Sequence, residues 1–115
     1  MPQLPLAIEE TVNSGDACRI LRLNGPIIIS NLFDLQAKIR ANNTPCLIID
    51  LTDVPYIDSA GIGALVGAYV THNKDGRSLA LVGVSERVMN ALKVTKVDSF
   101  FRFHDSVASA QASLS

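Results

Sequence analysis

Tryptophan is absent from this chain, aromatic residues make up only 5% of it, and charged residues only 18%. The few charges nearly cancel, leaving a formal net charge of -1. With no basic excess to neutralise phosphates, nucleic acid is not an expected partner. No apolar run approaches the roughly 20 residues that a bilayer span needs, so no membrane partner is expected either. The opening MPQLPLAIEE lacks a basic start and a long apolar run, which argues against a signal peptide. Histidine occurs twice, as His72 and His104. Their spacing offers no ligand set of the kind zinc demands, so both read as surface residues, and neither metal nor cofactor is expected. Cysteine also occurs twice, as Cys18 and Cys46, each in an apolar strand-like run. Two buried free thiols in a reducing cytoplasm are the expectation, with a Cys18–Cys46 disulfide as the alternative.

What is present is enough apolar material for a core: 48% of 115 residues, one domain's worth, taken as residues 1–115. The chain is organised around Cys46 to Asn73, CLIIDLTDVPYIDSAGIGALVGAYVTHN. This reads as buried strand, loop, then a helix from Ser59 to about His72. Ile62, Leu65, Val66, Tyr69 and Val70 recur at helical spacing and predict the inner face. Ala60, Ala64, Gly67 and Thr71 are then the outer face, and no charged residue lies between Ser59 and Asn73. Gly61, Gly63 and Gly67 cost helix propensity, about 1 kcal/mol each relative to Ala. Either this helix packs closely on its own neighbours, or its smooth flank is where a partner docks.

The remaining elements fall on both sides. Leu4, Leu6 and Ile8 alternate in a first strand, at an edge because Pro5 cannot donate to a ladder. Asn13 to Asp16 is a turn, and Ala17 to Leu23 a second strand. Ile27-Ile28-Ile29 has no firm assignment: a short extended segment or an exposed apolar lip. Ser30 or Asn31 caps a helix with Leu32, Leu35 and Ile39 inward and Lys38 and Arg40 in its last turn, closed by Asn42-Asn43-Thr44-Pro45. Ser78 to Val84 is a buried strand. Ser85 caps a helix with Val88, Met89 and Leu92 inward. Val97 to Phe103 is turn then strand, and Asp105 caps a last helix with Val107, Ala110 and Leu114 inward. The order β-β-α-β-α-β-α-β-α predicts an α/β fold, a mixed, mostly parallel sheet with helices packed on it.

No arrangement of catalytic residues emerges, and an enzyme is not expected. Ser59 stands beside Asp58, but adjacent residues on a helical turn do not face each other, and no histidine is placed to act as base. Gly61 and Gly63 are followed by no Lys-Ser/Thr, so they form no phosphate loop. Asp50, Asp53 and Asp58 cluster at the carboxyl end of the third strand, where sites form in open α/β sheets. Capping and turn formation account for Asp53 and Asp58, whereas Asp50 ends an apolar strand. Ser59 is either a second capping residue or a phosphorylation site. A helix N-terminus favours a phosphate, which would bring about -1.5 to -2 charges to the edge of an uncharged face.

Ile49-Asp50-Leu51, Ile57 to Leu65 (IDSAGIGAL) and Leu81-Val82-Gly83-Val84-Ser85, with Val88, Leu92, Phe100 and the closing Asp105-Ser106-x-x-x-Ala110, resemble STAS domains. The resemblance covers nearly the whole chain and is to the bacterial anti-sigma factor antagonists in particular. It implies a single-domain STAS-like fold. It implies that Ser59 is phosphorylated by a partner serine-protein kinase that doubles as an anti-sigma factor. The unphosphorylated domain binds that partner and the phosphorylated one releases it. It further implies that Asp58 caps or orients the serine's turn, and that Ala60, Gly61, Gly63 and Ala64 belong to the docking helix, along which Gly67 also lies. One segment departs from the pattern: Gly25-Pro26-Ile27-Ile28-Ile29-Ser30-Asn31 replaces a polar turn and resembles the STAS domains of anion transporters. Three exposed isoleucines there are expected to support a weak homodimer. Two rivals stand beside this reading. One is a scaffold or sensor module binding another regulator or a small ligand without phosphorylation. The other is a receiver-type domain phosphorylated on Asp50 or Asp53, disfavoured by two strands preceding any helix.

Overall fold

The computed structural model describes residues 5–12, 18–41 and 44–114. The elements are β1 (Ala7–Val12), β2 (Cys18–Asn24), α1 (Leu32–Arg40), β3 (Cys46–Asp53), α2 (Ser59–Lys74), β4 (Ser78–Val82), α3 (Glu86–Val94), a 3-10 turn (Asp98–Phe100), β5 (Arg102–His104) and α4 (Val107–Leu114). They form one five-stranded sheet in the order β1-β2-β3-β4-β5. β1 runs antiparallel to β2, and every other pair is parallel. The expected order and the mixed, mostly parallel sheet are both found. The expected turn at 13–16, Leu4, and Asn42-Asn43 lie outside the described residues, as does the side chain of Leu114.

Side-chain alternation along the strands sorts the core into two layers. Leu21 and Leu23, Leu47, Ile49 and Leu51, and Leu79 and Leu81 point to the face covered by α1, α2 and α3. Cys18 and Ile20, Cys46 and Ile48, and Ala80 and Val82 point to the other, where Ala110 of α4 packs. Both faces of β3 are therefore buried, which is why its sequence reads as a continuous apolar run. At the edge, buried Arg19 is hydrogen-bonded to Glu10, and Lys38 of α1 lies 3.6 Å from the same carboxylate. That ion cluster ties β1, β2 and α1 together.

Several expectations are corrected. Cys18 and Cys46 are not free thiols but are joined in a disulfide, as register partners on adjacent strands with Cα atoms 4.4 Å apart. His72 is not a surface residue: it is 2% exposed, and its Nδ1–H donates to the Ala68 carbonyl at 2.8 Å. The last helix is capped by Ser106, whose Oγ accepts from Ser109 N at 3.0 Å, rather than by Asp105. The inner face of α2 is Gly61, Ala64, Leu65, Ala68 and His72; of the expected row of large residues only Leu65 is fully buried. Small side chains let this helix settle close to its neighbours, while Ile62, Val66 and Tyr69 reach the core only partly and Val70 is 53% exposed. Ile27-Ile28-Ile29 is not a lip of three exposed isoleucines. Ile27 is fully buried and forms an isolated parallel bridge with Ile57, Ile28 is half-buried, and only Ile29 is exposed.

Candidate functional site

The site is built where β3 ends and α2 begins. Val54 N donates back to the Leu51 carbonyl at 3.0 Å, closing the turn after the strand. The chain then runs beside the segment that follows β2. Ile27 N donates to the Tyr56 carbonyl at 3.2 Å, and Asp58 N to the Ile27 carbonyl at 3.1 Å. Asp58 sits in extended conformation as the N-cap of α2. One carboxylate oxygen accepts from Gly61 N at 2.8 Å and the other from Ile29 N at 3.0 Å. Asp58 thus does more than cap: it clasps the isoleucine segment to the helix start. The clasp is close enough that a Cβ at Gly61 would stand 2.3 Å from the Ile27 carbonyl oxygen, so the position needs glycine.

Ser59 is the first residue of α2 and is exposed. One turn on, a Cβ at exposed Gly63 would meet nothing within 4 Å, and Gly67, a further turn on, is equally open. Ser59, Gly63, Gly67, Val70 and Thr71 therefore make an exposed stripe about 18 Å long, at 1.5 Å per residue, with no charge on it. Gly63, Ala64, Gly67, Ala68 and Thr71 also form one wall of a groove of about 450 Å³, with Gln36, Ile39 and Arg40 of α1 opposite.

The expected site residues thus divide. Ser59, Gly63 and Gly67 share the open stripe; Asp58 and Ala60 are half-buried beside it; Gly61 and Ala64 are buried beneath it. Asp50 and Asp53 do not join them. The Asp50 carboxylate accepts from Thr52 N at 3.0 Å and from Thr52 Oγ1 at 2.6 Å, and Asp53 pairs with Arg22 at 3.0 Å. Sequence reasoning named an apolar lip at Ile27-Ile28-Ile29 but not its attachment to Asp58. Ile29, 61% exposed, is hydrogen-bonded to the Asp58 side chain, and Phe33, 67% exposed, follows on the first turn of α1.

The geometry does not assemble a catalytic group around Ser59. Asp58 spends both oxygens on backbone N–H groups, and buried His72 lies thirteen residues further along the same helix. Burial holds the His72 imidazole below its ordinary pKa, opposed by its bond to the Ala68 carbonyl. Among the described residues no group of three or more His, Cys, Asp or Glu could hold a metal ion, and no helix is long and apolar enough to cross a membrane.

Comparison with known proteins places the chain in a family. The chain is 28% identical over 67 residues to an anti-sigma-B factor antagonist of Staphylococcus aureus, a stretch covering 58% of this chain and 62% of that protein. An anti-sigma factor antagonist from Mycobacterium paratuberculosis superposes with a TM-score of 0.83 at 20% identity, over 95% of this chain and 93% of the other. The Bacillus cell fate determinant SpoIIAA in its phosphorylated form superposes with a TM-score of 0.72 at 14% identity, over 93% and 99%. At those identities the two structures bear on the fold alone. The family model for the STAS domain matches residues 8–110, which span the sheet, the clasp at Asp58 and the stripe below Ser59. The chain belongs to the STAS domain family.

Proposed function

We propose that this chain, acting as one STAS domain, is an anti-sigma factor antagonist in a cytoplasmic partner-switching pathway. It binds an anti-sigma factor with serine kinase activity while Ser59 is unmodified and lets go once Ser59 carries a phosphate. Its part is to bind and be modified, not to catalyse. The observation that carries this reading is the exposed Ser59 at the head of an exposed, charge-free stripe containing Gly63 and Gly67. Such a stripe lets a partner backbone come close with little to desolvate. A phosphate of about -1.5 to -2 charges at its head must then be desolvated or matched by a cation on the partner. The Asp58 carboxylate next to it adds negative charge on the same turn. The name of the Staphylococcus aureus relative agrees with this role.

The test uses the purified kinase–anti-sigma factor of the same organism. Wild type and Ser59→Ala should bind it, and only wild type should gain phosphate, mapped by mass to Ser59. Ser59→Asp should bind at least about tenfold more weakly, the scale of a like-charge or unpaired-charge penalty at an interface. A second reading, a sensor or scaffold that takes a small ligand, draws on the groove between α1 and α2. Partner binding that survives Ser59→Asp intact decides for it.

A further inference from the structure

The groove between α1 and α2 is open where its walls lack side chains. A Cβ at Gly63 or Gly67 would meet nothing within 4 Å, so packing inside the chain does not require glycine at either position. Each glycine still costs the helix about 1 kcal/mol relative to alanine. The wall they leave is bare backbone, flanked by buried Ala64 and Ala68, with buried Ile39 facing it from α1. From Gly63 to Thr71 it runs about 12 Å, at 1.5 Å per residue.

The polar groups of the groove gather at one end. α1 and α2 each return between parallel strands, so they run the same way and their last turns lie side by side. Arg40 ends α1, Thr71 lies in the last turn of α2, and Asp75 and Arg77 follow. The carbonyls of Thr71, Asn73 and His72 accept from the backbone N–H groups of Asp75, Gly76 and Arg77, so that end of α2 is capped by its own backbone. Arg77 pairs with Asp75 at 3.0 Å, while exposed Arg40 enters no ion pair among the described residues. Two guanidiniums against one carboxylate leave this end of the groove net positive.

We propose that this groove binds a slim apolar small molecule that ends in one acid group. The apolar body lies along Gly63 and Gly67, where no side chain stands in its way. The acid group accepts hydrogen bonds from Arg40 and from the Thr71 hydroxyl. A volume of about 450 Å³ is within the range of small-molecule sites. One surplus positive charge matches one acid group, and a second would meet the Asp75 carboxylate. Binding here uses neither Ser59 nor a partner, so it stands or falls apart from the phosphorylation switch proposed above. It gives the small-ligand reading its ligand class.

The full chain, isotope-labelled for amide NMR, is titrated with sodium octanoate below its micellar concentration and separately with octanol, its uncharged counterpart. Amide shifts should map to 36–40 and 63–71. Octanoate should bind about fivefold more tightly than octanol, the scale of one exposed ion pair. Arg40→Gln should erase that difference and leave octanol binding unchanged. Gly67→Leu puts a side chain into the groove at a position with room for it, so it should abolish binding of both while the circular dichroism stays native. The proposal is overturned if neither molecule moves these amides, or if the shifts map elsewhere. It is also overturned if octanol binds as tightly as octanoate, if Arg40→Gln keeps the difference, or if a folded Gly67→Leu binds as wild type does.

Discussion

Three glycines within one helix do two different things, and a single methyl group separates them. At Gly61 a Cβ would meet the Ile27 carbonyl oxygen at 2.3 Å, and backbone cannot swing aside. Gly61→Ala should therefore destabilise the fold by about 1–3 kcal/mol, the cost of overpacking. At Gly63 and Gly67 the same methyl meets nothing within 4 Å, so alanine should stabilise by up to about 1 kcal/mol through helix propensity. Urea denaturation of the three variants reads both signs. Glycine kept where alanine would stabilise is what a docking surface requires, so Gly63→Ala and Gly67→Ala should also weaken partner binding. His72 makes a second residue-level case. Burial holds its folded pKa below the ordinary 6.5, so between those two values the unfolded chain binds more protons than the folded one. Stability is then complete above pH 6.5 and declines as pH falls through the window below it. Glu10, held below its ordinary 4.5 chiefly by its hydrogen bond to Arg19, adds its own loss only as pH falls from 4.5 downward. The slope between pH 5 and 6.5 should therefore flatten in His72→Asn, which keeps a donor for the Ala68 carbonyl without a titrating ring; melting temperature across pH measures it.

At the scale of elements, the start of α2 depends on one side chain that serves two segments. Asp58→Ala removes the acceptors of both Gly61 N and Ile29 N, where an ordinary cap loses one. The loss should reach about 2 kcal/mol, the upper end of the capping range. Asp58→Asn, which keeps one oxygen acceptor, should fall between Ala and wild type in denaturant midpoint. The sequence made the cap legible, because Asp before a helical pattern is a strong local signal. It did not make the clasp legible, because Ile27-Ile28-Ile29 is too short to show a period and its partner Ile57 lies thirty residues away. The face of α2 was misjudged for a related reason. Ranking residues by size turns Ile62, Val66 and Val70 inward, but a helix that packs closely buries its small residues, here Gly61, Ala64 and Ala68. In a segment that is apolar nearly all round, periodicity names a helix without fixing its rotation. Ser59 keeps its exposed place at the helix start, since that depends on the Asp58 cap and not on which flank is buried.

For the whole molecule, the order of elements and the mixed, mostly parallel sheet were readable because β3 and β4 are compact apolar runs, each followed by a helix with a capping side chain. The state of the cysteines was not, since pairing is a matter of register between strands whose starts lie 28 residues apart. That separation sets the last prediction. The bond closes a loop containing β2, α1 and the start of β3, and its removal frees that loop in the unfolded chain. Chain entropy for a loop of this size comes to about 3.5 kcal/mol. The rest of the fold does not depend on the bond: the face under α1, α2 and α3 holds the larger core, with Leu21, Leu23, Leu35, Ile49, Leu51, Leu65, Leu81 and Leu92 fully buried. Domains of this kind are stable by about 5–15 kcal/mol, so the reduced protein should stay folded with a smaller margin. Urea denaturation with and without a phosphine reductant should give the same native circular dichroism and a lower midpoint when reduced. A native spectrum lost on reduction would place the fold's stability in the cross-link instead of in the leucine-rich layer.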